Sequence, residues 1–258
     1  MATRAPRAPA QLAAYVLHRY DWSESSLILD LFTREQGRLA VIAKGAKRPY
    51  SQLRSVLLPF QRAHVVLGRP PKADATGEAT SDVQTLRGAE WAGGQAMLTG
   101  AALFSGFYLN ELLMKLLPRG DAHAALFDIY AGTLSALGAN DEAALRAFEV
   151  SLLSQLGLLP DLSLATLTQE AVDAERRYTL LAEAGVSAPR PSDTAVAGQV
   201  LIGLQAALEH GSLPALQQAC ARALPELKTL LRSLLHYHLG SPVLRTRQVM
   251  LDVQALDR

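Results

Sequence analysis

Between Gln11 and about Leu86 the hydrophobic positions fall in short runs that partly alternate with polar ones, and after Trp91 they recur at three- and four-residue spacing. The runs AAYVLHRY (13–20), SLILDLFTR (26–34), GRLAVIAKG (37–45) and FQRAHVVLG (60–68) are rich in β-branched and aromatic residues at strand length, and DVQTLRGAE (82–90) is a weaker fifth. Arg34-Glu35-Gln36-Gly37 reads as a tight turn in which Gly37 supplies a positive φ, so the second and third runs are expected to pair antiparallel. Five short strands in under ninety residues favour a closed barrel, since closure removes exposed edges, and the five-stranded OB-type barrel is the natural candidate.

The later spacing predicts helices. GQAMLTGAALFSGFYLNELLMKLLP (94–118) ends at Pro118, with Leu109, Leu112, Leu113 and Leu116 as its apolar stripe. AHAALFDIYAGTLSALG (122–138) follows, with Asp121 as expected N-cap and Gly138 as stop, and DEAALRAFEVSLLSQLG (141–157) again begins at Asp and ends at Gly. Residues 158–193 lose this regularity, with Pro160, Pro189 and Pro191 bracketing a short extended run at 176–185. Helix is expected again from about Thr194 to His210 and from Pro214 to about Leu239. The reading is an α+β chain: an OB-fold domain over residues 1–88, then a mainly α-helical domain over 89–258 with an irregular insertion at 158–193.

Composition narrows the classes. With 258 residues, 49% hydrophobic and 19% charged, the chain lies away from the polar, highly charged corner where chains stay disordered. A single cysteine, Cys220, excludes a disulfide framework within the chain and a four-cysteine zinc site, so a reducing, cytoplasmic location is expected. The most apolar stretch, 97–117, carries Asn110, Glu111 and Lys115, so no membrane span is expected. The opening MATRAPRAPAQLAAYVL has the arginines of a signal peptide, but Gln11, His18 and Arg19 leave its apolar region too short. The net charge of +1 conceals an asymmetry. Residues 1–88 hold 13 Lys plus Arg against 7 Asp plus Glu, net +6, and residues 89–258 hold 12 against 17, net −5. A basic first module beside an acidic remainder suggests a polyanion surface in the first part.

The usual enzyme signatures are missing: there is no phosphate-binding G-x-x-x-x-G-K-[ST] loop, H-E-x-x-H helix, G-x-S-x-G elbow or G-x-G-x-x-G turn. His236 and His238 at i, i+2 point apart on a helix and do not make a ligand pair. Asp121 with Asp128, and Glu142 with Glu149, read as caps and surface charges rather than acid–base pairs. Cys220 lies in an apolar helical stretch as a small buried hydrophobe. No catalytic residue, metal or cofactor is assigned, and the expected protein is not an enzyme.

The positive signal is GRLAVIAKGAKRPYSQLR, which carries Arg38, Lys44, Lys47, Arg48 and Arg54 with no acid and includes Tyr50; Arg34 of the preceding turn joins the candidate set. Single-strand-binding barrels combine cations that follow the phosphates with aromatic rings on which bases stack. The same composition also suits a solvated basic loop. Trp22 and Phe60 are open to two readings, base stacking or the barrel core.

The residues also resemble a known family. YVLHRYDWSESSLILDLFTREQGRLAVIAKGAKR, then SQLRSVLLPF, VQTLRGAE, GFYLNELLMKLLP, LFDIYAGTLSAL, ALRAFEVSLLSQLG and HLGSPVLRTRQ are similar in order to the bacterial RecO family of DNA repair proteins, across most of residues 15–247. Some members carry a four-cysteine zinc module where this chain has residues 158–193, without those cysteines, so it resembles the zinc-free members. The resemblance implies an N-terminal OB-fold and a helical domain. It further implies a non-catalytic recombination mediator that binds single- and double-stranded DNA, anneals complementary strands and joins RecR to load RecA onto strands coated by the single-stranded-DNA-binding protein SSB, at the nucleoid. It assigns Arg146, in LRAFE, to the acidic, apolar-ended tail of SSB, with Leu145, Phe148 and Leu152 as walls of a pocket or as core. An OB-fold RNA-binding or regulatory protein with a helical oligomerisation domain is the competing reading. A hydrolase would need convergent titratable groups that the sequence does not display.

Overall fold

The alternating runs form five strands in the computed structural model, which describes residues 11–68, 83–93, 97–139, 141–240 and 244–256. They are β1 (Gln11–Asp21), β2 (Leu27–Thr33), β3 (Gly37–Ala43), β4 (Arg62–Leu67) and β5 (Val83–Trp91), with a single helical turn, α1 (Leu53–Val56), between β3 and β4. The strands close in the order β1-β2-β3-β5-β4, with β4 returning to β1; β3 and β5 run parallel and the other pairs antiparallel. This is the OB-type barrel, and closing it leaves no bare edge around the ring. The β2–β3 hairpin turns at Gly37, whose φ is +66; a Cβ there would lie 1.7 Å from the Asp121 carbonyl oxygen, so both backbone angle and space demand glycine. The arginine-bearing opening segment and the β4–β5 connection at 69–82 lie outside the described residues.

Strand periodicity builds the core. Leu12, Ala14, Val16, Leu29, Leu31, Leu39, Val41, Ala63 and Val65 point inward at every second position and are buried together, with Leu57 beside α1. The opposite face of β1 and β2 presents Tyr15 and Phe32, whose rings lie 5.2 and 5.4 Å from that of Phe127. Residues Leu117–Phe127 belong to the same compact unit as Met1–Met97. β1 pairs with β4 only over Gln11–Tyr15, whereas it pairs with β2 as far as Asp21, with a bulge between Val16 and His18. The β1–β2 ribbon thus runs on beyond the closed ring, and the bulge re-aims the residues that follow it.

The second unit comprises Leu98–Leu116 and Asp128–Arg258. Its elements are α2 (Gly100–Leu116), α3 (Ala124–Ala136, whose first turn belongs to the barrel unit), α4 (Asp141–Gln155), β6 (Arg177–Leu181), β7 (Gly185–Ser187), β8 (Val196–Ala197), α5 (Gly198–Glu209), α6 (Leu213–Ala221), α7 (Leu224–Leu239) and α8 (Arg245–Leu256). Tyr130, Phe148, Leu109, Leu112 and Leu113 are fully buried, the Tyr130 hydroxyl donates to Asn110 Oδ1 at 2.6 Å so that this buried amide is paired, and Arg146 and Glu149 are buried in the same unit. No helix among the described residues is long and apolar enough to cross a membrane.

Several expectations are corrected. α2 begins at Gly100 rather than 94, because Gly100 adopts φ +54, a left-handed value that no helix interior holds. Asp121 does not cap α3: the Phe127 N–H donates to the His123 carbonyl, and the Asp121 carboxylate instead lies 3.4 Å from His123 Nε2. The helix expected from Thr194 starts only at Gly198, after β8. The single helix expected from Pro214 to Leu239 is two, divided at Arg222–Ala223, because Pro225 has no N–H to continue a helix and fits only in a first turn. Residues 158–193 are more regular than expected: β6 pairs with both β7 and β8, burying Tyr178, Leu180, Val186 and Val196, and the Asp173 N–H donates to the Tyr178 hydroxyl at 3.0 Å. The terminal helix α8 was not expected at all.

Candidate nucleic-acid interface and partner cavity

The β3–α1 connection begins at Gly45, whose φ of +72 turns the chain sharply out of β3, and continues through successive turns closed by Arg48 N–H to Gly45 O, Ser51 N–H to Arg48 O and Arg54 N–H to Ser51 O. No apolar residue between Lys47 and Gln52 anchors it, so its side chains stand in solvent. Lys44, Arg48 and Arg54 are exposed and have no carboxylate partner among the described residues. Tyr50 is 99% exposed, so packing gives no reason for an aromatic ring there.

This connection is tied to the β1–β2 loop. The Lys47 N–H donates to Ser25 O at 3.0 Å, and Lys47 Nζ donates to Ser23 O at 3.1 Å and pairs with Asp21 Oδ1 at 3.0 Å. Trp22, 64% exposed, lies on that loop, so the cations of residues 44–54 and the two rings occupy one end of the barrel. Phe60, by contrast, is 6% exposed and serves the core. The pair Trp22 and Tyr50 beside cations of one sign suits a stranded polyanion carrying flat bases.

Arg34 and Arg38 lie at the other end of β2 and β3. Arg34 is exposed at the hairpin. Arg38 is turned inward: its Nε pairs with buried Asp30 at 3.2 Å, its terminal nitrogen donates to Leu117 O at 2.9 Å, and its carbonyl accepts from Gly120 N–H. Arg119 meets the second Asp30 oxygen at 3.5 Å. Arg38 thus fastens residues 117–120 to the barrel wall.

In the helical unit a cavity of about 300 Å³ opens among α2, α4, α7 and α8. Its apolar wall includes Phe104, Leu145, Leu235, Leu244 and Met250, whereas Phe148 and Leu152 are fully buried in the core behind it. Arg146 lines the cavity and is only 8% exposed; its guanidinium meets Glu149 Oε1 at 2.6 Å, and the Tyr108 hydroxyl donates to the same oxygen at 2.6 Å. Burial pushes the Glu149 carboxyl up, opposed by Arg146 and by the Tyr108 hydrogen bond. The Tyr108 hydroxyl is pushed up by burial and then by the charge of Glu149, and the buried Cys220 thiol, for the same two reasons, to about 12. Arg146 Nε and Glu149 Oε2 have no hydrogen-bond partner among the described residues.

Two more cations face this cavity. Arg232 of α7 and Arg247 of α8 have no carboxylate partner among the described residues, and Arg232 is held below its ordinary value by desolvation, then by repulsion from Arg247 and Arg146. The same pressures lower His236: desolvation, then Arg232 and Arg247. Lys228, on the rim, is already neutralised by Glu142 at 2.8 Å. α8 is held in place by Glu111 of α2. One carboxylate oxygen accepts the Arg245 N–H at 2.9 Å, and the other accepts the Thr246 N–H at 2.9 Å and its hydroxyl at 2.7 Å. Burial alone would raise the Glu111 carboxyl; these bonds and Lys115 outweigh it and hold it below the usual range.

Arg232 and Arg247 escaped the sequence reading because they meet only once α8 folds back on α2 and α7, and α8 has no buried stripe to announce it: Val249, Met250 and Val253 are 50%, 39% and 38% exposed. Among the described residues no group of three or more His, Cys, Asp or Glu side chains is placed to hold a metal.

Comparison with known proteins matches residues 9–76 to the N-terminal domain of recombination protein O and residues 97–248 to its C-terminal domain. The DNA repair protein RecO of Polaromonas sp. (strain JS666 / ATCC BAA-500) is 49% identical over 249 residues, covering 94% of this chain and 96% of that protein. RecO of Verminephrobacter eiseniae (strain EF01-2) is likewise 49% identical over 249 residues with the same coverage, and RecO of Acidovorax ebreus (strain TPSY) is 48% identical over 269 residues, covering 98% of this chain and all of the relative.

Proposed function

We propose, because this chain belongs to the RecO family of DNA repair proteins, that it binds single- and double-stranded DNA at the barrel end bearing Lys44, Lys47, Arg48, Tyr50 and Arg54, anneals complementary strands, and acts with RecR in placing RecA on SSB-coated DNA. The observation that carries this reading is the convergence of three exposed cations without carboxylate partners among the described residues, Lys44, Arg48 and Arg54, and of Lys47, shared with Asp21, with two solvent-exposed rings at one end of an OB barrel. Cations neutralise the phosphate repulsion that keeps strands apart, and stacking platforms hold bases unpaired until a complement arrives. Neither task needs a nucleophile, an acid–base pair or nucleotide hydrolysis, so the mediator acts without catalysis. Arg34 and Arg38 are left out of the interface, since one lies at the far hairpin and the other is committed to Asp30.

The helical cavity is the docking site for the SSB tail. An acidic peptide with an apolar end requires cations beside a hydrophobic hollow, and Arg146, Arg232 and Arg247 beside Phe104, Leu145 and Met250 supply both.

The experiment is an annealing assay with complementary labelled oligonucleotides, bare and SSB-coated, without ATP or divalent metal. The protein is expected to accelerate pairing of both. Failure to anneal bare strands, or dependence on ATP hydrolysis by this chain, overturns the reading. Tight RNA binding without annealing favours an RNA-binding role instead.

A further inference from the structure

Beyond the bulge in β1, Arg19 lies opposite Leu29 and Asp21 opposite Leu27, so the inward face of the β1–β2 ribbon carries charge at the very point where the barrel ends. Facing it across a gap stand α1 and the residues after it. The cavity between them has a volume of about 510 Å³. Leu53, Leu57 and Leu58 on the α1 side and Leu27 on the ribbon give it apolar walls. The rim is cationic, formed by Arg19, Lys47 and Arg54, with Asp21 the one acid. Among the described residues neither Arg54 nor Arg19 has a carboxylate partner, Arg19 reaching the Leu57 carbonyl at 3.5 Å, and Lys47 is shared with Asp21, leaving the rim with two cations in excess. Lys47 also belongs to the DNA-binding connection, so a strand following that connection passes the mouth of the cavity.

We propose that this cavity seats one unpaired nucleotide, with its base against the leucines and its phosphate on Arg54, Arg19 and Lys47. The proposal rests on the reading that residues 44–54 bind DNA, and goes beyond it by giving that surface a device that separates unpaired from paired strands. Apolar walls, a cationic rim and a volume within the range of small-ligand sites fit a base with one phosphate. A base in a duplex reaches the leucines only by leaving its stack, whereas a base in a single strand is already free to turn out. An incoming phosphate displaces Asp21 from Lys47. When a complementary strand pairs with the seated base, the base withdraws and its contacts are lost, so annealing itself loosens the protein from its product.

The test compares oligothymidylate with a backbone of equal length made wholly of abasic residues, by fluorescence anisotropy. The proteins are the full chain, Leu53→Trp, which fills the cavity, and Leu58→Ser, which makes its wall polar; thermal melting verifies that each is folded. The wild-type protein is expected to bind the abasic strand about five-fold or more weaker, and both variants to lose most of that discrimination while holding duplex DNA as before. Equal binding of the two strands by the wild type overturns the seat and leaves DNA binding intact. Undiminished discrimination in both variants also overturns it, because the bases are then read elsewhere, as on Tyr50 or Trp22. No binding of either strand overturns the DNA reading together with the seat. Thymidine 5′-monophosphate, which carries the same base and phosphate, is added as competitor; displacement of the strand by micromolar mononucleotide assigns the cavity to a free nucleotide and overturns the strand seat.

Discussion

The two cationic regions of this protein are built on opposite terms. At the barrel end, Lys44, Arg48 and Arg54 are exposed, unpaired with acids among the described residues, and carried by a connection that contributes little to the core. In the helical cavity Arg146 is buried, locked to Glu149, and part of a cluster with Tyr108. A solvated cation keeps its hydration until a partner arrives and acts at a distance that salt shortens. A buried cation has already given up its water, so it requires a permanent counter-charge to exist at all. The first arrangement suits a long polyanion held in any register; the second suits one short ligand end held in one place. Substitutions therefore fail differently in the two regions, and the largest expected effect is on folding rather than on binding.

Glu149→Ala is that case. It leaves the Arg146 guanidinium buried without its carboxylate and the Tyr108 hydroxyl without its acceptor, and breaking a buried pair by removing one partner costs about 3–5 kcal/mol. Denaturant unfolding of the variant should show that loss, and replacing both partners, Arg146→Met with Glu149→Leu, should recover much of it. A loss below about 1 kcal/mol for Glu149→Ala would mean that the cavity arginine is hydrated, and the contrast between the two regions would collapse.

Reversing Lys44, Lys47 and Arg48 together to Glu should leave unfolding close to wild type, because none of the three is buried in the barrel. Single-strand affinity should fall by roughly a hundred-fold or more at low salt, and the slope of log K against log salt should lose about 0.7 in magnitude for each phosphate contact removed. Titration at three or four salt concentrations reads both quantities. A full-strength slope in the folded triple variant would move the polyanion surface away from the β3–α1 connection.

The difference between the regions also explains what could be read from the sequence. The barrel was legible because each strand is short, alternating and punctuated, and because Gly37 can occupy its turn where no side chain fits. The basic run was legible because its cations are adjacent in the chain. Yet the sequence could not separate Arg38 from its neighbours, since the contact that withdraws it comes from Asp30 and from residues 117–120, some eighty positions away. Arg19 was missed because the bulge that turns it toward the cavity leaves no composition signal. In the helical unit, apolar spacing marked α2, α3 and α4, but α8 is docked by hydrogen bonds that its first N–H groups donate to Glu111 and not by a stripe, so the cavity it completes, with Arg247, was invisible. Arg146 itself came from the family resemblance, and its burial against Glu149 came only from the fold.

The smallest expected effect is the most discriminating, because it separates ligand-binding cations from structural ones within a single cavity. Arg146→Ala confounds the two by stranding Glu149, so a lost activity in that variant would report on folding as much as on docking. Arg232 and Arg247 form no ion pair with Glu149: they repel one another across the cavity, and removing either relieves that repulsion, although removing Arg232 also gives up a longer-range attraction to Glu149. Arg232→Ala and Arg247→Ala should therefore fold close to the wild type while each weakens a tail peptide of SSB by about tenfold, the size of one charge-assisted hydrogen bond to a carboxylate. Naked single-stranded DNA should bind both variants as it binds the wild type, since the barrel cations are untouched. Fluorescence anisotropy on the two ligands makes the comparison. Parallel losses on peptide and DNA would mean that one surface serves both; undiminished peptide affinity in both variants would mean that neither Arg232 nor Arg247 contacts the tail, and would overturn the cavity as its cationic seat.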